Sequence, residues 1–515
     1  MRIRRSAAAA FAVAAVVFLA GCGNGNGQGS GSGTESPSAS EAAGPLALTL
    51  DSPPISLDPA KTNTGAGEAF VDLAYGALIH QNAQGDYEPW LAESFEYVGE
   101  GATHFRITLR EGLLFADGTP LDSAAVKGYL EYFKSAGGPF AQVAGNIESI
   151  ETPDDLTVEV LLSAPNPEMP YQFSESGLWG AIVSPAGLAD PEALGASTAG
   201  AGPYQLDEAQ TVTGSSYVYV PNGHYFDKSQ QRWSSVTITI ITDTNAALQS
   251  VLSGASDWTP GVEDQRETAK DAGLIEELAS PSTLQLFLLD RDGTQVPALG
   301  DQRVRQALNY AVDRDAIADL MGGVPSQQII PESGSGHNPA ADEVYSYDIE
   351  KAKQLLAEAG YADGFSFRAL SGSFDALGSR VLEVIAAQLA EIGVDVEIVQ
   401  APTFGDFSRE SESAQYPAMI LPWGGTAMYS IAQQIILPDG IANAYKAEDP
   451  EFSALFEQGA SQSGAEAEAT WQELSLKVTE RAWFVTVAVT YSPFFGKDHI
   501  SPAGDSIGFP NPVFF

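Results

Sequence analysis

The sequence predicts an α/β protein of two lobes. Its 515 residues exceed the roughly 100–200 that a single domain usually holds. From Leu46 onward, segments of strand period alternate with segments of helix period instead of separating into blocks. No tandem repeat and no internal linker divides this region. The lobes are therefore expected to pack on each other and to be interrupted in sequence.

The elements read in order as follows. His104 to Arg110 alternates polar and apolar side chains, the period of a half-buried strand. Phe115 to Pro120 (FADGTP) is a turn, and Asp122 to Lys134 is helical. Val158, Val160 and Leu162 mark a further strand, as do Tyr217 to Val220 and Val236 to Ile241. Asp301 is placed to cap a helix running to about Ala311, with Val304, Ala307, Leu308 and Ala311 on one face. Asp313 starts the next helix. Asp348 to Ala359 is another, with Gly360 placed to end it. Ser379 to Ile392 follows and ends at Gly393. Val394, Val396 and Ile398 then alternate with acids, which makes a helix-to-strand unit of an α/β sheet.

Composition narrows the function classes. Hydrophobic residues make up 44% and aromatics 10%, a globular balance that excludes wholesale disorder. The 25 Lys+Arg against 67 Asp+Glu give a net charge of −42. Charged residues total only 18%, so the imbalance reflects missing bases more than acidic tracts. Such a chain has no electrostatic footprint for polyphosphate, and no nucleic acid is expected as a partner. A single cysteine excludes an internal disulfide and a multi-cysteine zinc site.

That cysteine sits at the end of the N-terminal segment MRIRRSAAAAFAVAAVVFLAGC. Arg2, Arg4 and Arg5 precede an apolar run, Ala7 to Ala20, that is short for a bilayer span, the layout of a secretory signal. Leu19-Ala20-Gly21-Cys22 resembles a bacterial lipobox. The resemblance implies removal of residues 1–21 and a diacylglycerol on Cys22, anchoring the protein to the outer face of the cell membrane, as on a Gram-positive cell. The following Gly23 to Gly44 is Gly/Ser-rich and poor in apolar residues, so a flexible tether is expected over 22–44. No later segment offers about 18 uninterrupted apolar residues.

Five blocks, in order, resemble the extracytoplasmic solute-binding proteins of ABC importers, peptide/nickel-binding class (family 5). They are Ser56 to Ala60 (SLDPA) with Pro89 to Phe95 (PWLAESF), Phe105 to Val126 (FRITLREGLLFADGTPLDSAAV), Gly200 to Tyr204 (GAGPY), Arg303 to Ile317 (RVRQALNYAVDRDAI) and Tyr347 to Tyr361 (YDIEKAKQLLAEAGY). The resemblance implies a periplasmic-binding-protein-like fold, two lobes closing like a flytrap on a small peptide, glycoside or related solute. Lobe I would span 45–283, lobe II 284–485, and 486–515 would return to lobe I. Partners would be the solute and the permease and ATPase subunits of the importer, with the protein itself a monomer and no cofactor.

In peptide-binding relatives a Trp-x-x-Asp segment sets a carboxylate against the ligand's ammonium. The matching stretch here, Leu421 to Tyr429 (LPWGGTAMY), keeps Trp423 and has Thr426 in place of the acid. A hydroxyl offers a neutral hydrogen bond and no counter-charge, so the pattern favours neutral, glycosidic or heterocyclic solutes over free-amine peptides. Tyr429, Asn63 and Thr64 on the loop after SLDPA, Trp179, and Phe404 and Phe407 beyond the Val394 strand complete the candidate ligand-binding set.

Catalytic and metal motifs do not hold up. Gly504 to Gly508 formally matches G-x-S-x-G, but that elbow needs an acid and a His downstream, and only FPNPVFF follows. The five histidines are scattered without metal-ligand spacing, and no P-loop is present. The protein is expected not to be an enzyme. A secreted lipoprotein hydrolase or a peptide-signal-binding surface protein on the same fold is the alternative reading.

Overall fold

Two long strands organise the molecule. Ile275–Leu288 and Phe484–Gly496 pair antiparallel from Ile275 opposite Gly496 to Phe287 opposite Phe484. Their register slips between Ala279 and Ser282, where Ser280 adopts a φ of 52° and Pro281 brings no N–H to the ladder. Such a bulge bends and twists the pair. It also divides the apolar interior. One core draws on Leu46 to Ala279 and on Phe494 to Phe515; two others lie wholly between Leu284 and Ala488. These two bodies are called lobe I and lobe II below.

The computed structural model describes residues 44–62, 65–138, 141–373, 375–504 and 508–515. The expected signal peptide, Cys22, the tether as far as residue 43, Asn63, Thr64 and the middle of the G-x-S-x-G match lie outside the described residues.

One mixed sheet runs through both lobes. On the lobe II side of the long pair its order is Ala418–Gly424, Phe365–Gly372, Val394–Ala401. On the lobe I side it is Trp258–Pro260, Leu46–Leu50, Val236–Ile240, Ser216–Pro221, Tyr204–Leu206. Lobe I adds an antiparallel sheet in the order Ala92–Tyr97, His104–Leu109, Thr157–Leu162, Ile147–Glu151. The alternation read at His104 to Arg110 is real, with Phe105, Ile107 and Leu109 buried and their neighbours half-exposed.

The helices start at aspartates, as expected of Asp301 and Asp313; Asp122 and Asp348, expected as first helical residues, prove to be caps as well. Asp122 accepts the Ala125 amide at 2.9 Å and opens Ser123–Ser135, which buries Val126, Tyr129, Leu130 and Phe133. Asp301, Asp313 and Asp348 cap Gln302–Tyr310, Arg314–Met321 and Ile349–Glu358. A cap of this kind is worth about 1 kcal/mol. The helix expected from Ser379 begins earlier, at Ala376, because Asp375 caps it.

The sequence blocks prove to be scaffold. In RVRQALNYAVDRDAI, Arg305 donates to the carbonyls of Leu299 (2.7 Å) and Arg481 (3.1 Å). Arg314 donates to the Thr486 carbonyl (2.8 Å) and to Asn309 Oδ1 (2.6 Å). Both guanidiniums are buried, which pulls each pKa down to about 10. They stay charged at neutral pH; Arg314 fastens its helix to the returning strand, and Arg305 ties its own to the turn at Arg481 just before that strand. The GAGPY loop packs on helix Glu68–Tyr75 so closely that a Cβ on Gly200 would fall 2.4 Å from the Ala74 carbonyl oxygen. The Gly200 carbonyl accepts the Ala116 amide of the FADGTP turn at 2.9 Å.

Candidate functional site

Ala418–Gly424, Phe365–Gly372 and Val394–Ala401 are mutually parallel, so their carboxyl ends share one rim of lobe II. In open α/β sheets that rim is where ligands bind. Trp423 occupies it, opposite Thr283 of the long strand. Its ring is half-buried and meets buried Phe287 edge-on at 5.9 Å, which leaves part of the indole as an exposed platform. Gly424 and Gly425 carry the chain out of the strand, and Gly425 takes a φ of 126° that a side chain would resist. Thr426 follows, half-exposed. Its carbonyl accepts the Ser335 amide at 2.7 Å, so a neighbouring lobe II loop pins the turn.

Helix Met428–Ile431 then begins and runs on as the wider turn Ala432–Ile436. Tyr429 is buried, stacked on Phe456 at 5.2 Å, and its hydroxyl donates to the Pro165 carbonyl of lobe I at 3.1 Å. Next to it the amide and hydroxyl of Ser430 both donate to the Glu168 carboxylate. Burial raises the Glu168 pKa from 4.5 to about 7, with the two Ser430 hydrogen bonds pulling the other way. The chain's Trp-x-x-Thr segment therefore leads straight into a seam between the lobes. Sequence reasoning missed Glu168, Pro165 and Ser430, which carry no motif and meet across more than 260 positions.

The other candidates separate. Phe404 caps the same rim from the end of Val394–Ala401 and is 62% exposed. Phe407, one turn on, is buried in the lobe II core with Leu370 and Tyr416. Trp179 is fully buried in lobe I, edge-on to Phe173 at 5.8 Å and Phe133 at 6.2 Å. The structure makes it a packing residue, set within the lobe I core beside these two rings. The structure thus brings together Trp423, Thr426 and Tyr429, with Phe404 on the same edge.

A cavity of about 670 Å³ lies beside the seam, between Tyr97, Glu100 and Pro167 on one wall and Gln462, Glu468 and Trp471 on the other. Trp423 and Thr426 do not line it. The rim itself carries an aromatic platform, Trp423, with the half-exposed Thr426 three residues on. Among the described residues, no group of three or more His, Cys, Asp or Glu is arranged to hold a metal ion, and no helix is long and apolar enough to cross a membrane.

Comparison with known proteins bears on this arrangement. Residues 86–434 match the family described as bacterial extracellular solute-binding proteins, family 5 Middle. The glutathione-binding protein GsiB of Salmonella paratyphi A is 29% identical over 369 residues, 69% of either chain. The solved structure of AgaA in complex with agropinic acid, from A. tumefaciens, superposes with a TM-score of 0.73 at 24% identity, covering 91% of this chain and 96% of that one. The periplasmic binding protein DppA from Helicobacter pylori, in complex with the peptide STSA, gives a TM-score of 0.72 at 19% identity over 92% and 98%. The two structures carry the fold, two α/β lobes about a cleft.

Proposed function

The chain belongs to the bacterial extracellular solute-binding proteins, family 5, which deliver peptides and related solutes to ABC permeases, and we propose that its own solute is uncharged at the end that meets lobe II. The observation that carries this is the pairing of a half-exposed Trp423 with Thr426, three residues on, at the parallel-strand rim. An indole face suits sugars, heterocycles and apolar side chains. The Thr426 hydroxyl adds one neutral hydrogen bond, and no carboxylate stands at that position to hold an ammonium group. A free-amine peptide such as those named for GsiB and DppA is the second reading.

In this proposal lobe I comprises 45–283 and the chain past Ala488, and lobe II the stretch between, since Val487 and Ala488 sit in a lobe II core and place the return a few residues beyond the expected 485; the hinge lies where Ser280 and Pro281 interrupt the long pair. Solute binding shifts an open–closed equilibrium only through its tighter grip on the closed form. Lipidated Cys22 and the tether hold the protein at the outer face of the membrane, as a monomer. Cys22→Ala should release it or leave the signal uncleaved; mature, lipid-modified protein in the membrane fraction would contradict the anchor.

The ligand reading is tested by thermal shift against a solute library, together with mass spectrometry of small molecules released from purified protein. A binder gains stability by mass action and returns its ligand unchanged. We expect a neutral glycosidic or heterocyclic hit. Chemical turnover of the hit would favour a hydrolase, and hits confined to free-amine peptides would favour the second reading.

A further inference from the structure

The contact between Glu168 and Ser430 has the build of a latch. Glu168 belongs to a short lobe I segment whose own geometry is fixed. Its amide donates to Asn166 Oδ1 at 2.9 Å, the Met169 amide donates to the Tyr97 hydroxyl at 3.0 Å, and that hydroxyl donates to the Asn166 carbonyl at 2.8 Å. On the lobe II side, Ser430 lies in the first turn of the helix beginning at Met428, where amides have no partner within the helix. A carboxyl group there does the work of an N-cap, and it can do so in either state: one oxygen accepts the Ser430 amide, and the other shares a hydrogen bond with the Ser430 hydroxyl whether or not it carries a proton. Here the cap comes from the other lobe. The Tyr429 hydroxyl, donating to the Pro165 carbonyl and accepting from Gln433 Nε2 at 3.0 Å, makes a second tie beside it.

We propose that Glu168 is a proton-sensitive latch, holding Ser430 when the lobes are together and taking up a proton as they close. This rests on the reading of the chain as two hinged lobes. The carboxyl side of the contact is buried, with Glu168 only 8% exposed, while Ser430 is half-buried. The titratable groups that face it are the phenols of Tyr87, Tyr97, Tyr171 and Tyr429, each pushed upward by burial and neutral over the physiological range. Among the described residues that act on Glu168 electrostatically, none is a cation.

The direction of the pH effect follows. In the closed arrangement burial raises the carboxyl pKa to about 7. When the lobes part, water returns to the group and its pKa falls back toward 4.5. The closed form therefore binds more protons between those values, so closure is favoured as pH falls through 7 and its pH dependence fades below 4.5. Above 7 the carboxylate is ionised in both forms and closure bears the full desolvation penalty.

The test places spin labels on Glu100→Cys and Ser463→Cys, which face each other across the cavity beside the seam, in the full chain carrying Cys22→Ser. Without added ligand, the ratio of short to long inter-label distance should rise by roughly tenfold to a hundredfold from pH 8 to pH 5. Glu168→Gln should abolish that dependence. Ser430→Ala, which removes both the hydroxyl bond and its downward pull on the carboxyl group, should lower the short population at pH 8 and move the midpoint to higher pH. A wild-type ratio independent of pH, or the same pH response in Glu168→Gln, overturns the latch. A saturating solute that shortens the distance while pH and both variants do not would retire the latch and leave the hinged-lobe reading standing. No shortening by either solute or pH would remove both.

Discussion

The indole of Trp423 stands edge-on to the ring of Phe287, 5.9 Å between centroids at 62°, with Phe287 fully buried and Trp423 half-exposed. Phe287 is in turn edge-on to Phe484 of the returning strand at 5.2 Å. A platform seated this way holds its orientation without ligand, so little ordering entropy is lost when a solute lands on it.

Trp423→Ala is accordingly expected to weaken solute binding at least about tenfold, roughly 1.5–3 kcal/mol for the lost aromatic surface, measured by calorimetry. Its effect on stability should be smaller than that of a core residue. Unchanged affinity with a large fall in Tm would make Trp423 a packing residue.

Trp179→Ala should show the opposite pattern. Removing a fully buried indole from between Phe133 and Phe173 is expected to cost about 3–5 kcal/mol of stability. Solute affinity of the folded fraction should stay the same, as read by denaturant unfolding and titration calorimetry.

Thr426→Asp is expected to create amine recognition. A charge-assisted hydrogen bond is worth roughly 1.5–3 kcal/mol against about 1 for a neutral one. Free-amine di- to pentapeptides, weak for the native chain, should gain about one order of magnitude or more. Submicromolar peptide binding by the native chain, lost on blocking the N-terminus, would show that another acid serves the ammonium.

Stability should fall as pH rises from about 5 to 8. Glu68 is buried and its pKa is raised to about 8, chiefly by desolvation, with Glu175 adding repulsion; Asp72 is raised for the same reasons. A carboxyl group whose folded pKa lies above its unfolded one favours the folded state at low pH, and loses that contribution as pH climbs through the interval. Thermal unfolding at pH 5.5 and 8.5 should show the decline, and Glu68→Gln should flatten it. Equal slopes for the two chains would remove Glu68 from the account.

Local elements were the legible part of this sequence. Asp122, Asp301, Asp313 and Asp348 carry their caps within three residues, so a short window contains the whole interaction. The alternation at His104 to Leu109 is similarly self-contained. Trp423 and Thr426 were found through a resemblance, and the structure sets them on a rim that periodicity alone does not reveal. The seam was not legible. Glu168 looks like any surface acid and Ser430 like any helix serine, and their pairing depends on how two bodies pack. Trp179 and Phe407 show the same limit from the other side, because an aromatic residue in a loop or a short helix reads alike whether it lines a cleft or fills a core.

Solution scattering with a saturating, chemically verified solute is the most direct test of the central claim, capture by closure of two hinged lobes. The account predicts a smaller radius of gyration on binding, with far-ultraviolet circular dichroism unchanged and the compaction shifted to at least about tenfold higher solute concentration in Trp423→Ala. A bound solute that leaves the radius of gyration where it was would contradict it.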